Sequence, residues 1–333
     1  MSEFKRRFDN HKRDILICKK ILDREQYWRR ILPVSAIRLQ VADLALFRMG
    51  QGGGSGDALE RVVTSRIKSN IEFYSSPEIV EYYAGKEGVT ACERYAFDKC
   101  ARPGDAILDI GVGGGRTTGY LAPNAGRYVG LDYSQEMVVA AQAKYPELQF
   151  RCADASDLSF LADGSFDVAV FSFNGIDSIP TDADRSACLR EVGRVLRAGG
   201  RFVFSSHNAR NTGLWPVKSC YSPEPGSVSR SVGPSISNSL PAIIASCLKV
   251  PAIRRRAELG LFAVTSKAFY LGHGYIIDPS QGRVIRMFVS TPRYIARELN
   301  KAGLELIETL GCHYPDKVPD LLTFYYYYIA VKR

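Results

Sequence analysis

From about residue 77 the sequence alternates short apolar runs with helical segments, and this alternation restricts the fold more than any other feature. The runs are Ala106 to Ile110, Tyr128 to Leu131, Leu148 to Cys152, Val168 to Ser172 and Phe202 to Ser206. Their brevity and near-continuous apolar character are those of parallel strands covered on both faces. Ser134 to Lys144 and Ala183 to Arg197 carry helical patterning between them. The second helix is expected to end at Ala198-Gly199-Gly200, whose glycines suit a helix C-terminus turning into a strand. A repeat of this kind predicts a doubly wound α/β sheet with ligands at the carboxyl ends of its strands.

The rest of the chain reads as additions to that core. The first 48 residues are helical in pattern, with Ile15, Ile17, Ile21 and Leu22 set among charges, and Gly50 to Gly56 reads as a flexible joint. No Gly-Lys-Ser/Thr follows those glycines, which argues against a phosphate-binding loop. After residue 208 comes a long stretch rich in Ser, Pro and Gly, expected to be a lid or substrate-binding insertion with a helix near Leu240 to Val250. Order returns at Thr291, with a helix over Pro292 to Leu299 and strands over Leu304 to Leu310 and Leu322 to Val331. The expected division is a helical extension and linker over residues 1–76, a core over 77–208, a cap over 209–290 and a closing segment over 291–333.

With 46% hydrophobic and 24% charged residues among 333, the chain can bury a full core, which excludes disorder as its main state. Its net charge of +9 is uneven. Residues 1–50 carry 12 basic and 6 acidic side chains and 209–333 carry 16 and 8, whereas 51–208 carry 16 and 21. A polyanionic partner would therefore meet the flanks. The N-terminal cluster Lys5, Arg6, Arg7, Lys12 and Arg13 lies among acids and matches no RNA-binding module, so nucleic acid is not the favoured partner. Arg254-Arg255-Arg256 follows the apolar stretch Leu240 to Leu248, an order compatible with peripheral contact with an anionic membrane. No apolar run approaches the roughly 20 residues of a membrane span, and the charged N-terminal stretch lacks a secretory signal pattern. The eight scattered cysteines form no CxxC pair, so neither a zinc site nor a disulfide framework is expected, and the cytoplasm is the expected location.

The most informative motif is Asp109-Ile110-Gly111-Val112-Gly113-Gly114-Gly115-Arg116, placed where a strand gives way to a helix. Glycines there allow a sharp turn and a close approach of ligand to backbone. Asp132 ends the next apolar run, where a carboxylate can accept hydrogen bonds from both hydroxyls of a ribose, and Asp154 ends the one after. Single aspartates commonly cap helices, but three successive strands delivering an acid to one edge favour a ligand site. A nicotinamide-binding domain also combines glycines with a ribose acid. Its usual GxGxxG spacing differs from the glycines at 111, 113, 114 and 115 here.

With these motifs the sequence resembles the class I S-adenosylmethionine-dependent methyltransferases, in particular the type 11 group, over about residues 77 to 208 and again over the last 40. Phe166-Asp167-Val168-Ala169-Val170 and Arg194 to Phe202 are similar to that family's later motifs. The resemblance implies a Rossmann-like, mostly parallel seven-stranded sheet with an antiparallel last strand, and S-adenosylmethionine as cofactor. It further implies that the loop of Gly111, Gly113 and Gly115 packs on the cofactor's methionine part and that Asp109 helps hold its amino group. Asp132 would hold the ribose, while Asp154 and Ala155 would meet the adenine. Tyr82 and Tyr83 stand where related enzymes close a helix over the cofactor, so a ring there, Tyr83 in particular, would cover the sulfonium, with packing against the sheet as the alternative.

Methyl transfer to a hydroxyl also needs a base. The segments after the fourth and fifth strands supply the candidates, His207 first and Asp177 second, with Asn174 as an orienting residue. His273 and Tyr275 are expected to line the acceptor pocket from the insertion. Asp154, Asp157 and Asn174 do not clearly mark a magnesium site, and no metal is expected. The expected activity is methyl transfer to oxygen, or next to nitrogen, of a small molecule such as a sugar or natural product. A tRNA or protein acceptor and a catalytically inactive partner subunit are the alternatives.

Overall fold

The computed structural model describes residues 70–214, 268–278 and 285–333. By contacts the chain divides into two compact units, Met1–Arg61 and Val62–Arg333, and every described residue belongs to the second. The N-terminal helix, the glycine joint, the helix near Leu240 and both basic clusters lie outside the described residues.

The described part of the second unit begins with three helices, α1 (Asn70–Tyr74), α2 (Pro77–Ala84) and α3 (Ala91–Cys100). Helix α3 begins in a capping box, in which the Glu93 amide donates to Thr90 Oγ1 at 3.2 Å and the Thr90 amide donates to Glu93 Oε2 at 2.7 Å. There follow β1 (Ala106–Ile110), α4 (Thr118–Leu121), β2 (Arg127–Asp132), α5 (Gln135–Lys144), β3 (Gln149–Cys152), β4 (Phe166–Phe171), α6 (Asp182–Val195) and β5 (Leu196–His207). The described part of the insertion contains an antiparallel hairpin, β6 (His273–Ile277) and β7 (Arg286–Ser290). Helix α7 (Pro292–Lys301) and strands β8 (Leu304–Gly311) and β9 (Tyr325–Lys332) complete the chain.

Seven strands form one sheet in the order β3-β2-β1-β4-β5-β9-β8. Strands β1 to β5 are parallel neighbours, and β9 runs antiparallel to both β5 and β8. The reversal between β1 and β4 opens a crevice at the carboxyl edge, the usual ligand position in such sheets.

Period-two burial divides the core. Leu108 and Ile110 face a layer containing Val192, Leu299 and Tyr328, whereas Ile107 faces the opposite layer with Phe97, Val168 and Tyr327. A third cluster joins Phe73 of α1 to Ile276, Met287 and Val289 of the hairpin. Burying such side chains stabilises by about 1.5–3 kcal/mol each, which anchors α1 and the hairpin to each other. The compact unit therefore begins before residue 77, where the sequence pattern starts.

One helix boundary differs from expectation. Helix α6 stops at Val195, because Leu196 is already buried and paired with Phe166 of β4. The register then shifts before Val168 pairs with Arg201, so Ala198-Gly199-Gly200 forms an irregularity within β5 instead of a helix end, with Gly199 at φ +73°. The last strand likewise starts at Tyr325 and not Leu322, which closes a short 3-10 turn over Asp320–Leu322.

Candidate active site

The carboxyl ends of β1, β2 and β4 enclose a cleft of about 1140 Å³, counted with its open mouth. Its floor is the glycine loop. Gly113 takes φ +55°, and a Cβ there would meet nothing within 4 Å, so the backbone is bare toward open space. Gly114 is needed for a different reason: its Cβ would lie 2.4 Å from Ala84 Cα, where the end of α2 rests on the loop.

Asp132 closes the loop against β2. Its Oδ2 accepts from the Gly113 amide at 2.9 Å and its Oδ1 from the Ser134 amide at 3.0 Å. Burial pushes its carboxyl up to about 6, with these two bonds opposing the rise. Each oxygen keeps a further lone pair for a ligand hydroxyl. Asp109, by contrast, does not line the cleft. It is buried and accepts from Thr117 Oγ1 at 2.6 Å and Tyr128 Oη at 2.8 Å, so in this structure it braces the loop from beneath, and burial raises its carboxyl to about 6. Gly115 also lies off the cleft, against the Tyr145 ring.

Gly111, Asp154, Ala155 and Tyr83 do line the cleft. Asp154 is exposed, and its Oδ1 accepts from the amide and hydroxyl of Ser156, each at 2.8 Å. No sequence motif assigns a role to Tyr74 or Tyr133, which form an aromatic wall with Tyr83, at ring separations of 6.2 Å and 5.9 Å from Tyr74. The same holds for Arg116, whose Nη1 bonds Glu93 Oε2 at 2.8 Å while its other amino group reaches Oε1. Burial would raise the Glu93 carboxyl, but Arg116 outweighs it and holds it below the ordinary range. Tyr133 adjoins Asp132 in the chain, a signal that was available; Tyr74 lies outside every motif.

The cleft fits the cofactor that the motifs imply. Bare backbone at Gly113 leaves room, Asp132 offers lone pairs, and Ser172 Oγ is buried at its wall without a hydrogen-bond partner.

Beside the cleft, the turn after β4 is held in an uncommon shape. Phe173 and Asn174 both adopt left-handed backbone, at φ 55° and 61°. Such residues cost about 1–3 kcal/mol each and persist where the surroundings enforce them. Here the Asn174 amide donates to Ser205 Oγ at 2.7 Å and the Phe173 amide to Tyr327 Oη at 3.4 Å. The turn places Ser172, Phe173 and Gly175 on the cleft and aims Asn174 away from it, with Nδ2 3.4 Å from His207 Nε2.

Asp177 and His207 come together there. Asp177 is fully buried, its Oδ2 is 2.7 Å from His207 Nδ1 and accepts from the His207 amide at 2.7 Å, and its Oδ1 accepts from Ser206 Oγ at 2.6 Å. Burial alone would lower the imidazole pKa; the hydrogen bond and charge of Asp177 outweigh it, and the imidazole is held above 6.5. A carboxylate on Nδ1 fixes the ring and leaves Nε2 as the nitrogen facing Asn174.

His273 and Tyr275, like Asn174, Asp177 and His207, are not part of the cleft lining. The His273 ring stacks on Tyr294 at 4.3 Å. Tyr275 Oη donates to Asp182 Oδ1 at 3.0 Å and accepts from Arg185 Nη1 at 3.0 Å, tying the hairpin to α6. Among the described residues, no group of three or more His, Cys, Asp or Glu side chains is placed to hold a metal ion, and no helix is long and apolar enough to cross a membrane.

Residues 108–204 match the methyltransferase domain family. Over 103 residues the chain is 40% identical to a demethylmenaquinone methyltransferase of Beutenbergia cavernae, covering 31% of this chain and 41% of that one. Over 109 residues it is 35% identical to the O-methyltransferase cnsE of Penicillium expansum, covering 31% and 38%. The chain spans about half the length of the curated relatives it matches. An S-adenosylmethionine-dependent methyltransferase of Mesorhizobium loti superposes with a TM-score of 0.48 at 20% identity, covering 73% of this chain and 98% of that one. Residues 108–204 are thus a methyltransferase domain of the S-adenosylmethionine-dependent kind.

Proposed function

We propose that the protein transfers a methyl group from S-adenosylmethionine to a hydroxyl of a small molecule. The observation that carries this reading is the buried Asp177–His207 pair, set directly behind a turn whose other residues line the cofactor cleft. The cofactor, when bound, supplies a methyl group on a sulfonium, which leaves the protein three tasks: to place the two reactants, exclude water and take the acceptor's proton. Gly113 and Asp132 hold the cofactor by bare backbone and carboxylate, while Tyr74, Tyr83 and Tyr133 wall the cleft against water. His207 Nε2 receives the hydroxyl proton, and Asp177 stabilises the imidazolium that results. Asn174, 3.4 Å from Nε2, steadies the imidazole.

A hydroxyl needs this base more than a neutral amine does, which favours oxygen over nitrogen. The name of the Penicillium relative, an O-methyltransferase, agrees with that choice. The test is incubation of the protein with methyl-labelled cofactor and fractionated cell extract. Label in small polar metabolites is expected; label confined to RNA or protein would overturn the assignment of the acceptor.

A further inference from the structure

One side chain outside the motifs joins the turn beside the cleft to the hairpin. Asn70, the first residue of α1, donates from Nδ2 to the Ser178 carbonyl at 2.7 Å and to the Arg286 carbonyl at 2.9 Å. Its Oδ1 accepts from the Arg286 amide at 3.2 Å. Both hydrogens of the amide and one oxygen lone pair are thus used to join segments 108 and 216 residues away.

The three joined segments have different duties. Ser178 belongs to the turn after β4 and lines the cofactor cleft. Tyr74, one helical turn beyond Asn70, lines it too, and Phe73 packs on the hairpin. Arg286 begins β7, and Ser290, which ends that strand, bridges Asn208, the neighbour of His207 in the chain. Strand β7 therefore runs as a strap from the cofactor wall to the base, and Asn70 fastens its first residue.

We propose that Asn70 is a positioning residue that couples occupation of the cofactor cleft to the β6–β7 hairpin, and through β7 to the His207 side of the site. The inference rests on the cofactor reading above. A ligand packed against Tyr74 and the Ser178 turn restricts α1, and the Asn70 amide passes that restriction to Arg286. By linkage the effect is reciprocal, so a fixed hairpin tightens cofactor binding.

The test is hydrogen exchange of the full chain with and without S-adenosylhomocysteine, reading residues 285–290, where the Arg286 amide bonds Asn70 directly. In the wild type the ligand is expected to slow exchange there by about fivefold or more. N70A is expected to lose this protection and to bind S-adenosylhomocysteine about fivefold more weakly. N70D keeps an oxygen for the Arg286 amide but loses both donated bonds, so it should retain a smaller protection and serves if N70A does not fold. Equal protection in the wild type and either variant would overturn the proposal, as would a wild type that binds the ligand without protecting 285–290. A wild type that fails to bind S-adenosylhomocysteine would remove the cofactor reading and this proposal together.

Discussion

The two sides of the active site are built from different materials. On the cofactor side the working parts form an open surface: bare backbone at Gly113, the Asp132 carboxylate held by two amides, and a wall of rings. On the acceptor side they are side chains under constraint, a fully buried Asp177 against His207 and a turn with two left-handed residues. Backbone surfaces bind a ligand with little reorganisation, whereas a buried carboxylate and imidazole store the capacity to move a proton. The first side should therefore govern affinity and the second rate, and each prediction below is a way to break that division.

The largest expected effect is on rate. His207→Gln removes the proposed base while keeping a polar side chain, and should lower the turnover of labelled methyl transfer by about 100- to 10,000-fold. Its affinity for S-adenosylhomocysteine by calorimetry should stay at the wild-type value, since the link between the sides runs through β7 and not through the imidazole, and a parallel loss of affinity would show that His207 itself serves cofactor binding.

Asp132→Ala inverts the pattern. Loss of charged hydrogen bonds worth about 1.5–3 kcal/mol should weaken S-adenosylhomocysteine binding by about 10- to 100-fold. Unchanged affinity would contradict the placement of the ribose at Asp132.

Gly114→Ala tests the seat of α2 on the loop. The added Cβ falls 2.4 Å from the Ala84 backbone, so α2 must shift, at about 1–3 kcal/mol by thermal or urea unfolding. Wild-type stability in that variant would mean that α2 does not rest on the loop.

Two pH effects are smaller and separate the sides again. The imidazole is held above 6.5, and only its neutral form accepts a proton, so transfer should rise with pH through a value above 6.5. The charged groups acting on it are Asp177 and, more weakly, Asp278. Because the folded pKa is raised, the contribution of His207 to stability is complete below pH 6.5 and is lost as pH rises through the raised value. On the cofactor side, Asp132 titrates near 6, and its ionised form is the better acceptor of ribose hydroxyls. Binding of S-adenosylhomocysteine should therefore weaken as pH falls below about 6, by at most tenfold per unit, and Asp132→Asn should flatten that dependence.

The same contrast explains how much could be read from the sequence. Gly113 and Asp132 lie within one β-α-β unit, 19 residues apart, so their spacing is itself a motif. Strand β1 was legible to the residue because four of its five positions are buried and its turn is punctuated by glycine. Asp177 and His207 were each legible as candidates, but their union was not, since it depends on the pairing of β4 with β5 across the intervening α6. Tyr74 and Asn70 carried no signal, because α1 acquires its meaning from contacts 100 residues or more away in the chain. The misread end of α6 has a similar origin. Glycines that terminate many helices here loop out of a strand, because Leu196 is claimed by Phe166.

The measurement that tests the central claim most directly is labelled methyl transfer into the small-molecule fraction of cell extract, run in parallel with wild-type protein and His207→Gln at saturating cofactor. The account predicts label in small polar molecules with the wild type and its near-complete loss with the variant. Equal label in both, or label confined to macromolecules, would contradict it.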